Sequence, residues 1–87
     1  MANQGPLQVT LRLFAGAREV AGTGREDVDG ITVGDVLDEA CRRHGARFAQ
    51  VLATSRVWRN GEPAERADPL APGDEVAVLP PVSGGSG

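Results

Sequence analysis

The stretch Thr32-Val33-Gly34-Asp35-Val36-Leu37-Asp38-Glu39-Ala40-Cys41-Arg42-Arg43-His44-Gly45 decides the fold, because it carries a strong helix signal in the middle of the chain. Thr32 can cap the backbone amides ahead of it, and Asp35, three residues on, suits the positive end of a helix. Val33, Val36, Leu37, Ala40, Cys41 and His44 recur at spacings of three and four, which places them on one face. Arg42 and Arg43 sit near the negative end, and Gly45 stops the helix. Phe48, Val51 and Leu52 then read as a second short apolar turn packed nearby.

On the N-terminal side, Leu7 to Phe14 alternates with period two. Leu7, Val9, Leu11 and Leu13 face one way and Gln8, Thr10, Arg12 and Phe14 the other, which means a strand with one buried face. Phe14 is the exception, an apolar residue on the polar side. Ala15 to Gly24 is rich in Gly and Ala and reads as a loop, with room for one helical turn at Ala17 to Val20. Arg25 to Asp29 returns as a short second strand closed by Gly30. On the C-terminal side, Arg56 to Arg59 reads as a strand. Asn60-Gly61 signals a tight turn, and Glu62 to Arg66 forms a short edge segment. Asp68-Pro69-Leu70 and Ala71-Pro72-Gly73-Asp74 carry turn chemistry, and Glu75 to Leu79 is the final strand. There Val76 and Val78 point to the core, while Ala77 and Leu79 point outward.

With 87 residues, the chain allows one domain with one modest core. The order strand, strand, helix, strand, minor strand, strand lets the first two strands pair. The helix can cross the sheet, and the last strand can return parallel to the first in the middle. This is the β-grasp arrangement of ubiquitin-like domains, an α+β fold with a mixed sheet of four to five strands packed on one main helix. Residues 1–6 are expected to be disordered, 7–80 to form the β-grasp domain, and 81–87 to form a flexible active tail.

Composition excludes several function classes. The net charge is −3, so general attraction to nucleic acid or an anionic membrane is not expected. No apolar run is long enough to cross a bilayer, and the N-terminus lacks the basic and apolar regions of a signal peptide. These features point to a cytoplasmic protein. All nine basic residues are Arg, so the chain has no side-chain amine to attack an activated acyl group on a sister molecule. Cys41, the single cysteine, suits a small buried apolar role. His44 suits packing or capping, and no second His or nearby Cys gives metal-ligand spacing. Gly22-Thr23-Gly24 lacks the Lys and following helix of a phosphate loop.

Three stretches together resemble the sulfur-carrier family that includes the small subunit of molybdopterin synthase and the thiamine-pathway carrier. They are Leu11-Arg12-Leu13-Phe14-Ala15-Gly16-Ala17-Arg18-Glu19, Thr32-Val33-Gly34-Asp35-Val36-Leu37, and Gly73-Asp74-Glu75-Val76-Ala77-Val78-Leu79-Pro80-Pro81-Val82-Ser83-Gly84-Gly85. The third is the specific one, joining a strand, a double proline and Gly-Gly in the family's order. The resemblance implies that the carboxylate of Gly85 is adenylated by an ATP-dependent enzyme of the ubiquitin-activating type. Sulfur then replaces AMP to give a thiocarboxylate. It further implies a sulfur-accepting partner such as the molybdopterin synthase large subunit, no permanently bound cofactor and no metal. The carrier is then a sulfur-donor subunit, not catalytic alone.

The tail makes chemical sense by itself. Glycines let backbone pass a narrow channel where side chains would collide. Pro80 and Pro81 lack amide hydrogens, prefer an extended path and stop the last strand. Val82, Ser83 and Gly84 then lead to the reactive end.

Ser86 and Gly87 depart from the family pattern, which ends at the second glycine. Two extended residues move the chain end by about 7 Å. A protease that trims them would expose Gly85. Alternatively the pair is not native, or Gly87 is itself the carrier glycine and the partner's channel is longer. Other outlets for the sulfur remain open: cysteine, thiamine, thionucleoside or secondary-metabolite biosynthesis, or attachment to protein as a ubiquitin-like modifier. Strand parity also predicts a partner surface on the outer face of the sheet, centred on Phe14 and Leu79. Trp58 joins it if Val57 is the inward residue of its strand.

Overall fold

The computed structural model describes residues 8–81. Its elements are β1 (Gln8–Leu13), α1 (Ala15–Ala21), β2 (Arg25–Asp29), α2 (Val33–His44), α3 (Ala46–Ala53), β3 (Arg56–Arg59), β4 (Glu62–Pro63) and β5 (Glu75–Leu79). They form one five-stranded sheet in the order β2-β1-β5-β3-β4. β1 and β5 run parallel at its centre, and the other neighbours are antiparallel. This is the expected mixed β-grasp sheet, with the last strand inserted beside the first.

The α2 signal works as its residues dictate. Thr32 Oγ1 accepts from the Asp35 amide at 3.1 Å, and the Asp35 carboxylate accepts from the Thr32 amide at 3.2 Å, a closed capping box. The amides of Val33 and Gly34 donate to the carbonyls of Asp68 and Arg66, so a distant loop satisfies the remaining helix start. That approach needs Gly34, since a Cβ there would lie 3.1 Å from the Arg66 carbonyl oxygen. Asn60 (φ 52°) and Gly61 (φ 85°) make the tight β3-β4 turn in the left-handed region.

The core is built from Val9, Leu11 and Leu13 of β1, Val28 of β2, and Val76 and Val78 of β5. Val33, Val36, Leu37 and Ala40 of α2 and Phe48 of α3 close over them. Each large apolar side chain buried this way contributes roughly 1.5–3 kcal/mol relative to exposure. The exposed ion pairs, such as Arg66–Asp38, contribute about 0–1 kcal/mol each. Packing, not charge, therefore holds the fold.

Two expectations are corrected. The segment after β1 is not a loop: Ala15 to Ala21 forms a helix that ends at Gly22 (φ 79°), whose amide donates to the Arg18 carbonyl. Ala17 is fully buried, and Val20 and Ala21 of α1 and Val51 of α3 pack against the core. The apolar turn around Phe48 is likewise a complete helix, α3. The sheet is covered by these two short helices as well as by α2. Among the described residues, no helix is long and apolar enough to cross a membrane.

Candidate functional site

The site is the end of the sheet where β1 and β5 finish together. Leu13 pairs with Val78, and both point into the core. The Phe14 amide donates to the Val78 carbonyl at 3.2 Å, which extends the parallel ladder by one residue. Continuing that register sets Phe14 beside Leu79. Phe14 keeps 39% of its surface exposed, so α1 does not fold back over it. Its own carbonyl accepts from the amides of Ala17 and Arg18 at the start of α1. The ring is therefore carried on backbone anchored to both the sheet and a helix.

The parity condition on Trp58 is met. Val57 pairs with Val78 and packs against the core, so Trp58, paired with Ala77, lies on the outer face. Trp58 and Leu79 are half-buried. The face thus brings Phe14, Ala77, Leu79 and Trp58 onto three adjacent strands, with Arg56 opposite Leu79. Pro80 follows β5 half-buried, and Pro81 is exposed. The tail residues Val82, Ser83, Gly84 and Gly85, with Ser86 and Gly87, lie outside the described residues.

Arginine side chains frame the apolar face. Arg12 pairs with Glu75 at 3.2 Å and holds its guanidinium carbon 5.5 Å from the centre of the Phe14 ring. A guanidinium over an aromatic face is attracted by the ring quadrupole. Arg18 and Arg25 line the same open cleft as Arg12 and Phe14. Residue pattern does not single these two out, because Arg18 lies inside the stretch Ala15 to Gly24 that reads as a loop and Arg25 directly follows it. The signal was available in their distance from Phe14 along the chain, four and eleven residues.

The remaining candidates take structural roles. The His44 ring packs against Phe48 at a centroid distance of 5.3 Å and hydrogen-bonds the Glu26 carboxylate. Cys41 packs against the core, and burial, reinforced by Asp38 and opposed by Arg66, raises its thiol above the ordinary range. A thiol held protonated is a poor nucleophile. Gly22 caps α1, and the residues after Gly24 enter strand β2, not a phosphate-binding helix.

Comparison with known proteins agrees with this arrangement. The chain is 46% identical to "Small archaeal modifier protein 1" of Haloferax volcanii, over 85% of this chain and 97% of that protein. It is 36% identical to "Molybdopterin synthase sulfur carrier subunit" of Chlamydomonas reinhardtii, over 91% of this chain and all of that one. The crystal structure of the H. volcanii modifier superposes with a TM-score of 0.79 at 38% identity, covering 87% of this chain and 97% of the other. The ThiS family model matches residues 11–85, from the core of β1 through the sheet end to Gly85. With its parallel β1-β5 centre, its exposed Phe14 and its Gly-Gly sequence after β5, the chain belongs to the ThiS family, ubiquitin-like proteins whose relatives here include a named sulfur carrier subunit and a named modifier.

Proposed function

We propose that this protein is a sulfur carrier whose Gly85 carboxylate is activated by an ATP-dependent adenylyltransferase of the ubiquitin-activating type. The carboxylate oxygen attacks the α-phosphorus of ATP and pyrophosphate leaves. Sulfide then adds to the acyl carbon of the adenylate and AMP leaves, giving a thiocarboxylate with no net oxidation or reduction. A carboxylate is a poor acyl donor, and adenylation supplies the leaving group that makes substitution possible. ATP belongs to the activating partner, and the carrier holds no permanent cofactor. The recipient in this reading is the large subunit of molybdopterin synthase, and a protease removes Ser86-Gly87 beforehand.

The observation that supports this reading is the coincidence of three features at one end of the sheet. The central strand β5 stops at Leu79, Pro80-Pro81 follow, and Phe14 stands exposed beside them. A partner that docks on Phe14 and Leu79 is then adjacent to the start of the tail. The test is intact mass after incubation with ATP, sulfide and the adenylyltransferase. Replacement of one oxygen by sulfur at Gly85 is the expected product.

A second reading, attachment to other proteins, is favoured by the 46% identity to a protein named as a modifier. It shares the adenylate but ends in an isopeptide adduct to a lysine of another protein. The same incubation supplemented with cell extract separates the two by product.

A further inference from the structure

We propose that the face around Phe14 docks a protein surface made of an apolar pocket edged by carboxylates on the side that meets α1 and β2. This inference rests on the reading of that face as the adenylyltransferase contact. It adds the chemistry of the partner's surface.

The argument is one of charge placement. The chain as a whole is acidic, at −3. Its arginines are mostly committed: Arg12 pairs with Glu75, Arg42 and Arg43 with Glu39, Arg59 with Asp74 and Arg66 with Asp38. Four arginines form no ion pair among the described residues: Arg47 on α3, and Arg18, Arg25 and Arg56, which stand around the Phe14–Leu79 end. Arg18 and Arg25 line the cleft beside Phe14, and Arg56 is the register partner of Leu79. Arg12 and Arg25 are themselves register partners across β1 and β2, so two guanidinium groups start from neighbouring positions. The Arg18 side chain lies over Gly24, the residue before Arg25.

The acidic residues of the outer face gather at its other end. Asp27 pairs with Thr10 and Asp29 with Gln8, away from Phe14. Glu75 is bound to Arg12. Glu19 follows Arg18 on α1 and lines a second depression with Ala15, Arg18 and Gly22, but it does not line the cleft that holds Phe14 and it forms no ion pair with Arg18 among the described residues. Local positive charge beside the tail, on a negative molecule, steers a partner with the opposite local sign and fixes its orientation.

Nucleic acid is the other polyanion such a cluster could meet. A phosphate backbone needs a track of cations, whereas here the cations surround an exposed aromatic and a leucine. Arginine around an aromatic anchor is the composition of a protein contact.

The experiment measures association of the full chain with the adenylyltransferase at low and high salt. Arg18→Glu/Arg25→Glu is expected to slow association about tenfold at low salt, with the loss shrinking at high salt. Arg18→Lys/Arg25→Lys should keep most of the rate, and thermal melting checks that each variant is folded. Phe14→Ala should act on dissociation at both salts. Undiminished association of the double glutamate variant, with Phe14→Ala still impaired, overturns this inference alone. Charge-dependent binding without sulfur transfer keeps it and overturns the sulfur-carrier reading. No binding by the wild-type chain overturns both. Saturable binding of a short single-stranded oligonucleotide that the Arg18→Glu/Arg25→Glu change abolishes overturns it in favour of nucleic acid.

Discussion

The backbone amide of Phe14 donates to the carbonyl of Val78 at 3.2 Å, one residue beyond the last paired position of β1 and β5. This bond locks an exposed aromatic to the strand from which the tail departs. Phe14→Ala is therefore expected to weaken partner binding about tenfold or more while leaving melting nearly unchanged, since truncating an exposed side chain opens no cavity. Leu79→Ala should cost both affinity and some stability, because Leu79 is half-buried. Trp58→Ala should have the smaller effect on affinity, lying a strand further from Phe14. Calorimetric titration beside a melt checks all three. A Phe14→Ala protein that binds normally would remove the docking role.

Much of this site could be read from residue pattern. Alternation fixed which side of β1 and β5 is buried, and a single aromatic on the polar side of Leu7 to Phe14 marked the face. The capping pair Thr32 and Asp35 and the turn pair Asn60-Gly61 act locally, so they were legible too. Helix α1 was not, because it has only seven residues, carries Gly16 in its first turn and has no side-chain cap at Phe14; what orders it is the burial of Ala17 and the packing of Val20 and Ala21 against the core, which is tertiary. The same miss hid Arg18 and Arg25. They become neighbours of Phe14 only when α1 turns the chain back into β2.

Ala15 has φ 50°, in the left-handed region, between the ladder end at Phe14 and the body of α1. For a residue with a Cβ this costs roughly 1–2 kcal/mol. Ala15→Gly should leave the melting temperature unchanged or raise it, as relief of strain offsets the greater freedom of glycine in the unfolded chain. Ala15→Val should lower stability by about 1–2 kcal/mol. Equal melting of both variants would show that this backbone geometry carries no strain.

Glu39 accepts from Arg42 and from Arg43, and these bonds hold its carboxyl at about 2 instead of the ordinary 4.5. A carboxyl depressed in the folded state stabilises fully above its unfolded value and loses that contribution as pH falls through its folded value. The melting difference between wild type and Glu39→Gln should be constant above about pH 5 and shrink between pH 4.5 and 2. A difference that does not change with pH would mean that the arginine bonds give no pH-linked stability.

Cys41→Ser should leave sulfur acceptance intact and lower stability by about 1 kcal/mol, because a hydroxyl replaces a thiol packed against the core. The raised thiol titration argues against a nucleophilic role in the first place. Thiocarboxylate formation by mass, with a melt in parallel, decides it. A folded Cys41→Ser protein that cannot accept sulfur would move the sulfur from the glycine carboxylate to the cysteine.

Deleting Gly84 through Gly87 should abolish sulfur acceptance and leave the fold unchanged. The core closes with Val76 and Val78, and β5 ends at Leu79. The four deleted residues are three glycines and a serine, which have no apolar side chain to give to packing. Removing them therefore takes away the reacting carboxylate without opening a cavity. Docking should survive as well, since Phe14, Trp58 and Leu79 remain, so the truncated chain should compete with the intact one for the adenylyltransferase. That competition separates a lost acceptor from a lost contact. Removing Ser86-Gly87 alone places the carboxylate on Gly85 and should raise the rate of adenylation over the 87-residue form, read as pyrophosphate release. Equal rates for the two forms, with sulfur found on Gly87, would assign the chemistry to the longer end. Sulfur acceptance by the chain lacking all four residues would end the tail assignment.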